Sequence, residues 1–89
     1  FKQDLKTCRE QLLELPGIGP ETADSILLYA GDKPIFVIDE YTRRFAKKYK
    51  ISADFSYNYL QDLFQKNLPQ DVKIYQDFHA MIVSDGKLW

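Results

Sequence analysis

Apolar residues recur at helical spacing from about Asp4 to Glu14, where Leu5, Cys8, Leu12 and Leu15 fall on one side with polar residues between them. The segment Leu15-Pro16-Gly17-Ile18-Gly19-Pro20 then stops the pattern. Two glycines and two prolines in five positions cannot continue a helix. Pro20 suits the first turn of a second helix, where its missing N–H is no loss. Ala23, Ile26, Leu27 and Ala30 mark the buried face of that helix, and Gly31-Asp32-Lys33-Pro34 closes it with a glycine, turn residues and a proline.

The next apolar run, Ile35-Phe36-Val37-Ile38, is rich in β-branched residues and by itself reads as a buried strand. No second strand candidate of equal quality exists to pair with it, so the run is expected to be an extended connector buried against helices. Asp39 follows at the natural N-cap of a helix from about Glu40 to Lys50. Tyr41, Phe45 and Tyr49 line one face of it, and Arg43, Arg44, Lys47 and Lys48 lie mostly away from that face. A fourth helix is expected from Ser56 to about Lys66, with Leu60, Leu63 and Phe64 inward and Asn67-Leu68-Pro69 as its stop. A fifth runs from about Gln70 to Ser84, with Val72, Tyr75, Phe78 or His79, and Ile82 on one side, and Gly86 ends it. There are no repeats and no low-complexity tract. The fold class is all-α.

Composition narrows the function classes. The 89 residues are enough for one small domain at most. One cysteine, Cys8, excludes an internal disulfide framework and a self-contained cysteine metal site, and one histidine, His79, excludes a histidine cluster. No metal ligands are assigned. No run approaches the ~18–20 apolar residues of a membrane span, and no signal-peptide pattern is present. The chain starts at Phe1 and ends at Trp89, and neither end looks like a natural terminus, so a piece of a longer protein is expected. Net charge is −1, which announces no bulk basic field. Charge is uneven, however: residues 1–30 carry −2, residues 31–50 carry +3 and residues 51–89 carry −2. Local fields of this kind matter more for docking than the total.

The stretch from Leu15 to Asp24 reads LPGIGPETAD. Glycine at 17 and 19 permits positive φ and strips side chains from the path of a large anion. The second helix begins there, with the positive end of its dipole facing whatever occupies the site. That is a phosphate site built on backbone charge, carrying no sequence information. Its candidate contacts are Leu15, Gly17, Ile18, Gly19, Glu21 and Thr22, with Arg43 added from the basic block. The competing reading is a tight turn between two antiparallel helices and nothing more.

Leu15-Pro-Gly-Ile-Gly-Pro-Glu-Thr-Ala-Asp24, followed by Val37-Ile38-Asp39 and Arg43-Arg44, resembles the helix-hairpin-helix superfamily of DNA glycosylases. Within it the chain is similar to the endonuclease III branch. The phrase from Gly19 to Ala30 is nearest to endonuclease III-related and 3-methyladenine glycosylase III-like members. The likeness covers the whole chain, and residues 15–45 are diagnostic. It implies that residues 1–89 form one fragment of a two-lobed helical glycosylase, with the hairpin at 15–20, a catalytic-aspartate segment at 35–45 and C-terminal helices at 56–84.

In that family an aspartate ends such an apolar run, eighteen residues beyond the second residue after the hairpin's last glycine; here the spacing joins Glu21 to Asp39. The resemblance thus implies that Asp39 is catalytic. A carboxylate suits the chemistry, because loss of a base leaves an oxocarbenium-like sugar that an anion stabilises. It can also orient or deprotonate an attacking water. A plain N-cap is the bland alternative and is compatible with catalysis. Bifunctional members carry a lysine where this chain has Glu21, and that lysine forms a Schiff base with the sugar. A carboxylate cannot, and no lysine follows the hairpin before Lys33. The implied activity is a monofunctional DNA N-glycosylase that leaves the abasic site intact. Glu21 itself either suits the helix dipole or touches substrate.

The implied partner is double-stranded DNA with a damaged base, which is flipped into a pocket. The full-length protein is expected to be a monomer, cytoplasmic and nucleoid-associated. Many members hold a [4Fe–4S] cluster through four cysteines that follow a helix ending in Gly-Lys. Asp85-Gly86-Lys87-Leu88-Trp89 resembles the stretch before the first of them, so any such cluster would lie beyond Trp89, and no cofactor is expected in this chain. The isolated 89 residues are expected to have little or no activity. Tyr29, Tyr41, Tyr57 and Tyr59 are candidates to stack on a flipped base or, at helical spacing, to be core. Arg43, Arg44, Lys47 and Lys48 either neutralise phosphates or form a solvated face. His79 reads as a structural hydrogen-bonding residue and Cys8 as inert core. The rival from another class is a helix-hairpin-helix DNA-binding module without catalysis, which needs the hairpin but not Asp39. A plain helical interaction domain would leave the hairpin unexplained.

Overall fold

The computed structural model describes residues 4–87. Leu88 and Trp89 of the expected pre-cluster stretch lie outside the described residues. The regular structure is helical: α1 Leu5–Leu13, α2 Pro20–Tyr29, α3 Glu40–Lys48, α4 Tyr57–Asn67 and α5 Val72–Gly86. Among the described residues no strand occurs, and the chain is all-α.

Three helix starts share one chemistry, and α2 departs from it. Asp4, Asp39 and Asp71 cap α1, α3 and α5, each carboxylate accepting from the backbone N–H of the third helical residue. At α2 the N-cap is Gly19, which has no side chain to offer, and Pro20 takes the first helical position.

The chain after α2 and after α3 turns through a left-handed residue that is not glycine, and α3 ends earlier than expected. α3 stops at Lys48, not Lys50. Lys50 takes φ 55°, its N–H reaches Lys47 O at 3.3 Å, and Ile51 N–H returns to Ala46 O at 2.8 Å. This is the closing geometry a C-terminal glycine would normally adopt. After α2 the left-handed residue is Asp32, also at φ 55°, and not Gly31. Ala30 is the C-cap and is exposed, so it does not belong to the buried face; Leu28 joins Ala23 and Leu27 there. Leu15 lies past the end of α1 and is 52% exposed, outside the apolar stripe. Gly86 is buried inside the last turn of α5, where it was expected to follow that helix. A Cβ on it would run into the Tyr41 ring, so the glycine lets α5 close on α3.

α1 packs on α2, α2 on α5, and α3 on α5. The connector Ile35–Ile38 is buried at the centre. Phe36 stacks on Phe64 with ring centroids 4.9 Å apart and meets Tyr75 edge-on at 5.6 Å. A buried segment outside any helix must find partners for its backbone. Here α4 supplies them: Phe36 N–H donates to Gln65 Oε1 at 2.9 Å, and Phe36 O accepts from Gln61 Nε2 at 2.8 Å. Two glutamines roughly one turn apart thus do what a neighbouring strand would do. The segment forms neither helix nor strand and is buried in the helical core, as its lack of a pairing strand predicted.

Asp24 was not singled out by the sequence beyond its place in the hairpin phrase. It is completely buried in α2. Arg9 of α1 grips it through Nε at 2.7 Å and Nη2 at 3.2 Å. The Tyr57 hydroxyl and Gln61 Nε2 of α4 donate to its Oδ2 at 2.6 and 2.8 Å. The Tyr57 hydroxyl also lies 3.2 Å from Pro20 O. The carboxylate therefore ties both arms of the hairpin to α4. Burial and this carboxylate push the Tyr57 phenol far above its ordinary value of 10.0, and hydrogen bonding to Asp24 raises Arg9. Tyr57 is thereby a structural donor and not a free ring. Cys8 is buried in the same core cluster.

Candidate functional site

The turn between α1 and α2 is closed by Leu15 N–H to Leu12 O at 3.1 Å and by Ile18 N–H to Leu15 O at 3.2 Å. Those two amides are engaged internally. Among the described residues, no acceptor takes the N–H of Gly17, Gly19, Glu21 or Thr22. Gly17 has φ 81°, a conformation other residues rarely adopt. Gly19 is not left-handed: its φ is −95° and ψ −178°, ordinary extended backbone. Its value is space, since a Cβ built at 17 or at 19 would have nothing within 4 Å. Open amides, a helix start lacking any side-chain cap and bare solvent above the turn form a site suited to an anion. Glu21 and Thr22 lie exposed in the first turn.

Asp39 sits at the far end of the next segment, where the buried connector meets α3. Its Oδ1 accepts from Thr42 N–H and from the Thr42 hydroxyl, both at 2.9 Å. Its Oδ2 faces Nε2 of His79 on α5 at 2.9 Å. The other ring nitrogen, Nδ1, is 2.8 Å from the Tyr29 hydroxyl at the end of α2. Asp39 keeps 16% of its side chain exposed, and His79 keeps 11%. Burial works to raise the Asp39 carboxyl, but the hydrogen bonds from His79 and Thr42 outweigh it and hold the group below the usual 3.8. Burial, and then the charge of Asp39, raises the Tyr29 phenol.

Asp39 is thus brought beside two residues the sequence did not connect with it. His79 was read as a structural hydrogen-bonding residue; the structure shows which bond it makes. Its placement in the Tyr75–Ile82 stripe was the available signal, because a histidine on an apolar face needs a polar partner from another element. Tyr29 remains 48% exposed even with its hydroxyl engaged. Tyr59 is exposed and Tyr41 is half-buried against the core.

The basic block of α3 is partly committed to the fold. Arg43 Nε donates to Phe55 O at 3.2 Å, and Arg44 pairs with Glu40 at 3.2 Å. Lys48 lies 3.7 Å from Asp85 and over the Tyr49 ring. Lys47 is exposed. Hairpin and carboxylate lie at opposite ends of α2, because Pro20 opens that helix and Tyr29, which reaches the Asp39 site, closes it. Ten residues at 1.5 Å each make α2 roughly 15 Å long. Among the described residues no group of three His, Cys, Asp or Glu could hold a metal ion. Cys8 is buried in the core, so these residues do not fit an iron–sulfur cluster. No helix of the described residues is long and apolar enough to cross a membrane.

The helix-hairpin-helix motif family matches residues 5–29, which are α1, the turn and α2 entire. Over 86 residues the chain is 45% identical to a protein of Methanocaldococcus jannaschii that bears the name "Putative DNA repair glycosylase". The match covers 96% of this chain and 39% of that protein, so the chain spans well under half the length of the relative. The motif and this likeness meet on the same hairpin: the chain carries a helix-hairpin-helix motif and is similar, over nearly its whole length, to part of that protein.

Proposed function

We propose that the chain is the part of a monofunctional DNA N-glycosylase that carries its hairpin and its catalytic carboxylate. The full-length protein would act in base-excision repair, as a monomeric hydrolase of the endonuclease III-like branch, on the nucleoid in the cytoplasm. The substrate is duplex DNA with a damaged base, and the reaction is hydrolysis of the N-glycosidic bond. The carrying observation is the pairing of an open, glycine-lined start of α2 with the partly exposed Asp39 beside the end of that same helix. The first feature suits a phosphate, and the second suits a sugar that turns cationic.

In this reading Gly17, Gly19, Glu21 and Thr22 present their amides to a backbone phosphate. Leu15 and Ile18 shape the turn around it, and Arg43 adds positive charge from α3. The extrahelical nucleotide lies over the start of α3. A carboxyl held below 3.8 is anionic at neutral pH, so Asp39 does not serve as the acid. It stabilises the developing oxocarbenium ion and orients the water that attacks it. Glu21 occupies the place of the Schiff-base lysine and cannot form an imine, so the strand is left unbroken. Any [4Fe–4S] cluster would belong to chain beyond Trp89. The elements that complete a pocket lie elsewhere in the longer protein, so the isolated 89 residues have little or no activity. A DNA-binding module without catalysis needs only residues 5–29, and the use of Asp39 as the cap of α3 is the observation on its side.

Asp39→Asn in the full-length protein separates the two. DNA affinity should stay near that of the wild type, while base release on a panel of damaged duplexes should fall about 100-fold or more. Excision at the wild-type rate would remove Asp39 from the mechanism. Borohydride added during turnover should trap no covalent adduct, and a strong adduct would show that another lysine attacks the sugar.

A further inference from the structure

We propose that His79 is a positioning residue for Asp39, held in one tautomer by Tyr29, so that α2, α3 and α5 together orient the carboxylate. The inference rests on the reading of Asp39 as the catalytic group. It goes beyond that reading by naming what aims the group.

The argument starts from what the cap of α3 requires. An N-cap carboxylate needs one oxygen, and Asp39 Oδ1 satisfies that need through Thr42. Among the described residues, the bonds to the Asp4 and Asp71 side chains come from their own helices: Asp4 accepts from Thr7, and Asp71 accepts from Ile74 N–H. The bond from His79 to Asp39 Oδ2 spans forty residues of sequence and is surplus to capping. Its effect is to fix the rotation of the carboxylate about its own axis.

With a neutral ring the chemistry of the three groups allows one arrangement, whereas a doubly protonated ring would donate to both Asp39 and Tyr29. An ionised carboxylate only accepts, so Nε2 of His79 carries the proton and donates to Oδ2. In the neutral ring Nδ1 is then a lone pair, and the Tyr29 hydroxyl donates to it at 2.8 Å. The ring has little freedom to turn. It stands edge-on to Phe36 at 6.2 Å and 81°, and the Tyr29 ring lies tilted against it at 6.0 Å. Phe36 is itself locked between Phe64 and Tyr75. The ionisable groups that meet Asp39 are therefore His79 from α5 and Tyr29, through the ring, from α2. One edge of the carboxylate remains open to solvent.

The test is made on the full-length protein with two kinds of readout. Ring ¹⁵N shifts should show the Nε2–H tautomer in the wild type. In Asp39→Asn the new amide donates where the carboxylate accepted, so the ring should invert to Nδ1–H and donate to Tyr29. Single-turnover excision should fall about 10- to 100-fold in His79→Phe, the worth of one charge-assisted hydrogen bond, with DNA affinity within about twofold. His79→Gln carries its amide nitrogen at nearly the reach of Nε2 and should stay within about threefold of wild type. The tautomer reports the bond itself, whereas a merely structural role would leave the single-turnover rate of the folded His79→Phe protein unchanged and would show no selective rescue by glutamine. An Nδ1–H tautomer in the wild type, an unchanged tautomer in Asp39→Asn, or a wild-type rate in His79→Phe would each overturn the proposal. If the wild type released no base from any duplex, the glycosylase reading would fail, and the tautomers would still decide the pairing. Should His79→Phe fail to fold, the wild-type tautomer and His79→Gln carry the decision.

Discussion

Asp24 and Asp39 lie fifteen residues apart, both on or next to α2 and α3, and the fold treats them in opposite ways. Asp24 is fully buried and receives four hydrogen bonds from Arg9, Tyr57 and Gln61, all on other helices. Asp39 receives two bonds from its own helix and one from His79, and keeps a solvent edge. The first carboxylate has no approach left for a substrate. Its charge goes into holding the hairpin arms against α4. The second has its direction fixed and its reach preserved. A buried ion pair of the first kind costs desolvation to form and is severely disruptive to break. A partly exposed cap of the second kind can be altered with much less harm to the fold. Chemistry is better placed on the residue whose loss the fold survives.

That contrast has a direct measure in unfolding free energy. Asp24→Ala should destabilise the full-length protein by about 3–5 kcal/mol, since it strands the Arg9 guanidinium and leaves the Tyr57 hydroxyl and Gln61 amide without their acceptor. Asp39→Ala should cost only about 0.5–2 kcal/mol, the worth of an N-cap. Urea unfolding of both variants reads the difference. Equal losses would mean that Asp39 is as structural as Asp24, and the functional assignment would weaken accordingly.

The same two residues show what a sequence makes legible. Helices α1 to α5, the hairpin and the buried connector could be read because their signals are local: apolar spacing, proline and glycine punctuation, and an aspartate ahead of a periodic run. The end of α3 was placed two residues late because a left-handed non-glycine residue such as Lys50 leaves no compositional mark. Asp24 lies among Ala23, Leu27 and Leu28 on the inward side of α2, and a carboxylate there demands a cation. That much was available. Which cation answers it was not, because Arg9 and Tyr57 are brought in by packing across 15 and 33 residues. His79 was visible as a lone polar residue on an apolar face, but its partners Asp39 and Tyr29 come from helices 40 and 50 residues away. The turn chemistry at Gly17 was legible in full, whereas Gly19 turned out to supply clearance and not an unusual backbone angle.

The smallest effect is the most discriminating, because it asks whether the Asp39 charge itself is held. In the folded protein burial tends to raise this carboxyl, but the bonds from His79 and Thr42 more than compensate, so its value lies below the 3.8 of an unperturbed aspartate. A depressed carboxyl contributes stability that is fully present above the unfolded value and is lost as pH falls through the folded one. Asp39→Asn removes the titration but keeps an oxygen for Thr42, because asparagine is as good an N-cap as aspartate. The gap in unfolding free energy between wild type and Asp39→Asn should therefore be steady at neutral pH and close as the solution is acidified below about pH 4. Asp4 and Asp54 are also depressed, by bonds from Thr7 and Ser56, and titrate in the same window. They do so in both proteins and cancel from the difference. A gap that does not change with pH would mean that the neutral carboxyl is held as well as the anion. His79 would then not be favouring charge at Asp39, and an anion poised beneath a cationic sugar would lose its physical basis.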